Sequence, residues 1–410
     1  MSGAVGTGAA PAPVLEPLAG GVTTTPGIRA AGIAAGLKPS GKPDLALVAA
    51  EEPVAAAAVQ TRNQVFAAPV AVTRRHVADG RARAVLLNAG SANACTGEEG
   101  LRTAEDSAAA VAAALGCAAD DVLLCSTGVI GVPIPREPFL AAIPRAVAAL
   151  RDDAAAGDAA ARAIMTTDTV PKKAAVRVSD ASGSCVVGGM AKGAGMLAPE
   201  LATMLCVLTT DAPLAGAALQ QALQQACATT FGRISVDGCM STNDAVIVLA
   251  TGTAAQPPSP ASVQAGLEAV CARLAEAMVR DGEGASRLVR LRVCGARSED
   301  DALGLARAVA DSVLVRTAIA GGDPNWGRIL AAMGASPVRF DPSRVAVRVG
   351  DVTVCRGGVV VPFDPAAAAA ALAPGDVDVT VDVGAGDAEA TMLFSDLTHE
   401  YVTINAEYTT

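Results

Sequence analysis

The segment RLVRLRVCG (287–295) alternates Val289, Leu291 and Val293 with Arg290 and Arg292. RVAVRVG (344–350), VDVTVDVG (377–384) and AAVRVSD (174–180) repeat the pattern, with valines on one side and Arg, Asp or Thr on the other. A period of two puts one face of a strand in a core and the other in water, which is the habit of antiparallel sheets. Strands of a doubly wound parallel sheet are covered on both faces and read as continuous apolar runs. These segments therefore predict an α+β fold of mixed layers, with half-buried antiparallel strands.

Between the strands lie helices with readable ends. LRTAEDSAAAVAAALG (101–116) stops at Gly116, a natural left-handed cap. Ser259 before Pro260 reads as an N-cap followed by the first helical residue, with the helix running to about Arg280. Ser298 with Asp301 predicts a second capped helix through about Leu314, and Pro324 opens a third ending at Gly334. RAVLLN (83–88) and DVLLCSTG (121–128) also read as strands. Residues 1–20 carry little pattern and are expected to form a flexible tail. The C-terminal EYVTINAEYTT (400–410) reads as an alternating strand and a polar end.

Composition narrows the function. The 410 residues carry 31 Lys plus Arg against 41 Asp plus Glu, a net charge of −10. That balance argues against nucleic acid and anionic membrane surfaces as partners. Aromatic residues make up 2% and so supply no base-stacking platform. A long charge-free stretch, between Asp211 and Arg233, holds four glutamines and spans no bilayer. With no basic leader segment, a soluble cytoplasmic protein is expected. The ten cysteines show no CxxC spacing and are expected to be reduced, buried small hydrophobes. His76 and His399 are the only histidines, which leaves no material for a His-rich metal site and little for a Ser-His-Asp triad.

Some motifs fail on inspection. Residues 36–42 fit GxxxxGK, but Pro43 replaces the magnesium-binding hydroxyl and would start the helix without an N–H. A surface turn is the better reading. Asp281-Gly282-Glu283-Gly284 reads as a helix stop at solvent, and Thr127-Gly128 as a strand-ending turn able to offer an N–H beside a hydroxyl. Gly193 to Pro199 is a run of small residues after Lys192, leading through Ala202 and Thr203 into an apolar strand. A Thr there can attack the carbonyl just before it and cut the chain. The freed α-amine, with a pKa of about 8, then serves its own hydroxyl as general base. That chemistry needs neither His nor metal.

KGAGMLAPELATML (192–205) resembles the autocleavage motif of the ornithine acetyltransferase / N-acetylglutamate synthase family of arginine biosynthesis. The resemblance extends in order through residues 21–47, NAGSANACTG (88–97), STGVIG (126–131), TTDTVPK (166–172), RISVDGCMSTND (233–244), VRDGEGAS (279–286), GDPNWGRILAAMG (322–334) and YVTINAEYTT (401–410). It implies the two-lobed ornithine acetyltransferase (DmpA-like) fold with an N-terminal-nucleophile mechanism. The precursor would cut itself between Ala202 and Thr203, leaving an α chain of residues 21–202 after the tail and a β chain of residues 203–410. The chains would assemble as α2β2 in the cytoplasm. Thr203 would take acetyl from N2-acetyl-L-ornithine and pass it to L-glutamate by a ping-pong route. No cofactor or metal is implied, and acetyl-CoA is implied as a second acetyl donor. Carried over residue by residue, Thr127 and Gly128 form the oxyanion hole, and Thr166, Lys192, Thr203, Glu283, Asn405 and Thr410 contact substrate. The nearest rival is a self-processing aminopeptidase or amidase of related fold, in which water takes the acyl group.

Overall fold

A computed structural model describes residues 12–198 and 204–407. In chain order its strands begin with β1 Val14–Leu18, β2 Ile28–Ile33, β3 Leu45–Gln60, β4 Arg81–Ser91 and β5 Val122–Val129. They continue with β6 Lys172–Asp180, β7 Gly183–Lys192, β8 Leu205–Thr210, β9 Ile234–Ser235 and β10 Ala245–Ala250. The later ones are β11 Arg287–Ala296, β12 Ala346–Val349, β13 Val352–Arg356, β14 Val359–Val360, β15 Gly375–Asp382 and β16 Ala388–Ser395. The helices begin with α1 Ala68–His76, α2 Gly97–Leu115, α3 Arg136–Ala148, α4 Ala154–Ala163, α5 Gly216–Thr229 and α6 Pro260–Arg280. After them come α7 Glu299–Ala310, α8 Val313–Ala320, α9 Trp326–Gly334, α10 Pro365–Ala370 and α11 His399–Glu407.

A nine-stranded sheet runs β1-β6-β7-β8-β10-β3-β4-β5, with β2 also on β3. The long strand β3 bends it. Residues 45–50 pair with β2 and β4, residues 55–60 pair with β10, and the register breaks between Ala49 and Val54. The two halves therefore face each other. Val85, Leu87, Leu123 and Cys125 meet Leu205, Val207, Ile247 and Leu249 in one core. Outside one half lie α5 and α6, packed on Val178, Val187, Leu208 and Val248. Outside the other lie α1 to α3, packed on Leu45, Leu86 and Leu124. In this helix–sheet–sheet–helix stack β8 and β10 are buried along their whole length.

A seven-stranded sheet, β14-β13-β12-β15-β11-β16-β9, forms the second lobe. Val289, Leu291 and Val293 of β11 pack with Leu305 and Val309 of α7, Ile319 of α8 and Met333 of α9. The alternation in β11 and β15 is the one read from sequence, and the α+β class with two lobes holds. The pairing differs in one respect: β11 is antiparallel to β16 but parallel to β15. Alternation reports which faces are buried, not which way a neighbour runs.

Helix ends follow the capping chemistry. The Ser259 and Ser298 hydroxyls accept the Ser262 and Asp301 amides, and Gly116 closes α2 at φ +75°. Four other expectations are corrected. The helix from Ser298 ends at Ala310, where Ser312 caps a separate α8, and α9 is capped by Asn325 rather than opened by Pro324. Within the expected tail, residues 14–18 form an edge strand on β6. Pro17 hid it, although an edge position tolerates a residue without an N–H. The C-terminal segment forms α11, not a strand. No residue of α11 is buried, so the alternation of Tyr401, Thr403 and Asn405 with Val402 and Ile404 reports no sheet face.

The amides that open the turn at 36–42 are taken from within the chain. The Asp44 carboxylate accepts the amides of Ala35, Gly36, Leu37 and Lys38 at 2.6 to 3.1 Å. Six cysteines are buried as expected, but Cys95 and Cys239 are exposed. Among the described residues, no helix is long and apolar enough to cross a membrane.

Candidate active site

A cavity open to solvent lies where strands of the first sheet end beside the loop between α6 and β11. Thr127, Gly128, Thr166, Lys192, Glu283 and Asn405 all line it. They come from the end of β5, the loop after α4, the end of β7, the α6–β11 loop and α11. Ala202, Thr203 and Thr410 lie outside the described residues. Of the chain on either side of the first two, Lys192 pairs with Leu205 across β7 and β8, and Gly195 and Met196 line the cavity.

Lys192 is 3% exposed and donates to the Thr127 hydroxyl at 3.3 Å. A hydroxyl that accepts from an ammonium keeps its own proton to donate elsewhere. Burial lowers the Lys192 pKa, against the pull of Asp168 and Glu283 that raises it. Gly128 has φ +131°, and a Cβ there would lie 2.4 Å from the Gly90 carbonyl carbon, so only glycine fits.

Behind Lys192 sits a dry ion network. Lys172 donates to Asp168 and Asp281, each at 2.6 Å, and the Lys172 and Asp168 side chains are almost fully buried. The Asp168 carboxylate also accepts the amides of Gly193 at 2.8 Å and Thr166 at 3.0 Å. Burial works to raise its pKa, but Lys192 and Lys172 outweigh that and lower it to about 2. Asp281, expected at a solvent-facing helix stop, is thus the second partner of a buried lysine. A buried lysine left unpaired would be costly, which explains the pairing.

Glu283 is equally far from a solvent stop. Its amide donates to Ala194 at 2.7 Å, and its carboxylate accepts from Asn405 at 2.8 Å. A Cβ on Gly195 would come within 2.4 Å of that carboxylate, so the missing side chain is what lets Glu283 reach the 193–196 loop. The same loop is held from the far side by Asp237, which accepts the Met196 and Leu197 amides at 2.5 and 2.9 Å and the Tyr401 hydroxyl at 3.2 Å.

The lining also includes Ser241, Thr242 and Asn243, which sequence reasoning passed over as functional residues. Next to them Asp244, fully buried, accepts the Met204 amide at 3.1 Å. Burial raises its pKa well above the usual carboxylate range. The signal for all of these lay in two quoted motifs, TTDTVPK and RISVDGCMSTND, whose polar residues were not weighed one by one. Among the described residues, no cluster of three or more His, Cys, Asp or Glu is arranged to hold a metal ion.

The arrangement offers a hydroxyl donor backed by a buried cation, a carboxylate across the cavity and a polar clamp on the segment leading to Thr203. Comparison with known proteins points the same way. The ArgJ family pattern matches residues 29–410. The arginine biosynthesis bifunctional protein ArgJ of Mycobacterium tuberculosis is 49% identical over 394 residues, which is 95% of this chain and 96% of that one. The protein of the same name from Symbiobacterium thermophilum is 48% identical over 404 residues, 97% and 100% of the two chains. Among solved structures, a chain of Mycobacterium tuberculosis ornithine acetyltransferase complexed with ornithine is 46% identical, covers 47% of this chain and 100% of that one, and has a TM-score of 0.42. With a family match from residue 29 to the last residue and relatives of nearly half identity end to end, this chain belongs to the ArgJ family of arginine-biosynthesis enzymes.

Proposed function

We propose that the chain cuts itself between Ala202 and Thr203 and then transfers acetyl from N2-acetyl-L-ornithine to L-glutamate through an acetyl ester on Thr203. The observation that carries this reading is the convergence of Thr127, Gly128, Thr166, Lys192, Glu283 and Asn405 on one cavity, which Gly195 and Met196 of the segment leading to Thr203 also line.

In self-cleavage the Thr203 hydroxyl attacks the Ala202 carbonyl, the Ala202–Thr203 C–N bond breaks, and water hydrolyses the resulting ester. In transfer, the freed α-amine takes the hydroxyl proton while the oxygen attacks the acetyl carbonyl. The C–N bond to ornithine breaks as the α-amine hands that proton to the departing ornithine nitrogen. Glutamate then attacks the ester, the C–O bond breaks, and the Thr203 oxygen recovers its proton. Thr127 and Gly128 stabilise the oxyanion in both halves, and losing one such donor costs about 3–4 kcal/mol of transition-state stabilisation. Lys192 and Glu283 supply the cation and anion that zwitterionic amino-acid substrates require. Thr410 would complete the substrate contacts from the C-terminus. We place the enzyme in the cytoplasm as an α2β2 assembly, needing no cofactor and accepting acetyl-CoA as a second donor.

The test is the denatured mass of the purified protein beside Thr203→Ala, followed by transfer assays with and without glutamate. Two fragments of about half size in wild type, one intact chain in the variant, and acetyl appearing on glutamate support the reading. An intact wild-type chain, or acetylornithine consumed only by hydrolysis, overturns it.

A further inference from the structure

Asn243 is 4% exposed and lines the cavity, yet its side-chain amide is aimed at backbone. Its Nδ2 donates to the carbonyl of Ala92 at 2.6 Å and to the carbonyl of Ser126 at 2.8 Å. Ala92 follows the end of β4, and the Ser126 carbonyl belongs to the peptide bond that enters Thr127. Both amide hydrogens are thereby used to tie two strand ends together at the turn carrying Thr127 and Gly128. The acceptor oxygen is occupied too, by the Thr242 hydroxyl at 2.5 Å. The next residue, Asp244, holds the Met204 amide at 3.1 Å. Its second carboxylate oxygen is buried without a hydrogen-bond partner among the described residues. One dipeptide therefore grips the oxyanion turn with one side chain and the residue after Thr203 with the other.

We propose that Asn243 is a positioning residue for acetyl transfer: it sets the Ser126–Thr127 peptide, and through it the oxyanion donors, at a fixed distance from β8, the strand that follows Thr203 in the chain. This rests on the acyl-transfer reading above. Asn243 touches no reacting atom in the proposal and acts only through Thr127 and Gly128. Oxyanion stabilisation is steeply sensitive to donor placement, because the donors must sit about 2.7–3.1 Å from the developing charge. Loosening the turn should thus lower turnover without weakening ground-state binding.

The experiment compares wild type, Asn243→Ala, Asn243→Ser, Thr127→Ala and the Thr127→Ala/Asn243→Ala double variant for fragment masses, kcat and KM with acetylornithine and glutamate. Asn243→Ala is expected to lower kcat by about 10- to 100-fold, less than the ~10²- to 10³-fold loss of a whole oxyanion donor, with KM within about threefold. The double variant should fall below Thr127→Ala by less than Asn243→Ala falls below wild type, since only the Gly128 donor is then left to position. Asn243→Ser keeps one hydrogen for one of the two carbonyls and should recover part of kcat; it also decides the matter if the alanine variant does not fold. Unchanged kcat in both single variants, or losses that multiply with Thr127→Ala, overturn the proposal while wild-type transfer keeps the function reading standing. If wild type itself neither cleaves nor transfers, the function reading fails first, and the mass analysis shows which has happened.

Discussion

The two sheets bury different kinds of atoms. Around the first sheet the interior holds Asn88, Asn93, Asp168, Lys172, Lys192, Asn243 and Asp244. After Ser262 the buried polar side chains among the described residues are Arg316, Ser395 and Asp396 alone. The second sheet is built for packing, with valines facing α7 to α9. The first carries a comparable apolar core, and in addition a polar interior where its strands end at the cavity. A buried polar group left unmatched costs free energy, so the chemistry of the site is also a constraint on its folding.

That contrast is most exposed at Asp168. Asp168→Asn removes the negative charge between Lys172 and Lys192 and should cost about 3–5 kcal/mol of stability, read by urea denaturation. Acid should show the same group. Its pKa is lowered from 3.8 to about 2, so its contribution is fully present above about pH 4 and disappears as pH falls through 2. The variant should lack that part of the stability–pH curve. Leu291→Ala, in the fully buried centre of the second sheet, should cost about 2–5 kcal/mol and leave transfer per folded molecule unchanged. A matching fall in kcat for Leu291→Ala would erase the distinction between the sheets. Gly195→Ala, which drives a methyl into the Glu283 carboxylate, should cost about 1–3 kcal/mol while raising KM for acetylornithine. Tyr401→Phe, which removes one half-buried hydrogen bond to Asp237, should cost only about 0.5–1.5 kcal/mol in thermal unfolding.

Legibility from sequence follows the same divide. The alternation in 287–295 and 377–384 gave the strands of the second sheet directly, because burial there is a matter of which face a residue occupies. The helices of Ser259 and Gly116 were legible because caps are local. The polar interior of the first lobe was not. Asp168, Lys172 and Asp281 look like scattered surface charges in sequence, and only the tertiary fold puts both carboxylates 2.6 Å from the Lys172 ammonium. Thr127, Gly128, Glu283 and Asn405 read individually as a turn, a loop and a frayed end; it was the resemblance across several motifs that singled them out. The C-terminal helix misled because residues 401–405 alternate without facing a core. Asn243 and Asp244 sat inside a quoted motif, but their significance lies in what they grip, which spacing alone does not reveal.

The position of β8 has a consequence for the processed enzyme. β8 pairs with β7 on one side and β10 on the other, in the middle of the first sheet. A cut before Thr203 would therefore divide a sheet rather than separate the lobes, and each fragment would carry strands the other needs to complete its core. Refolding of the processed pair would then depend on two chains meeting, with a rate that rises with concentration, whereas an uncut Thr203→Ala chain would refold at a rate independent of it. Self-cleavage would thus turn a reversible fold into a kinetically committed one: the intact precursor can find its structure alone, and the mature enzyme has to keep it.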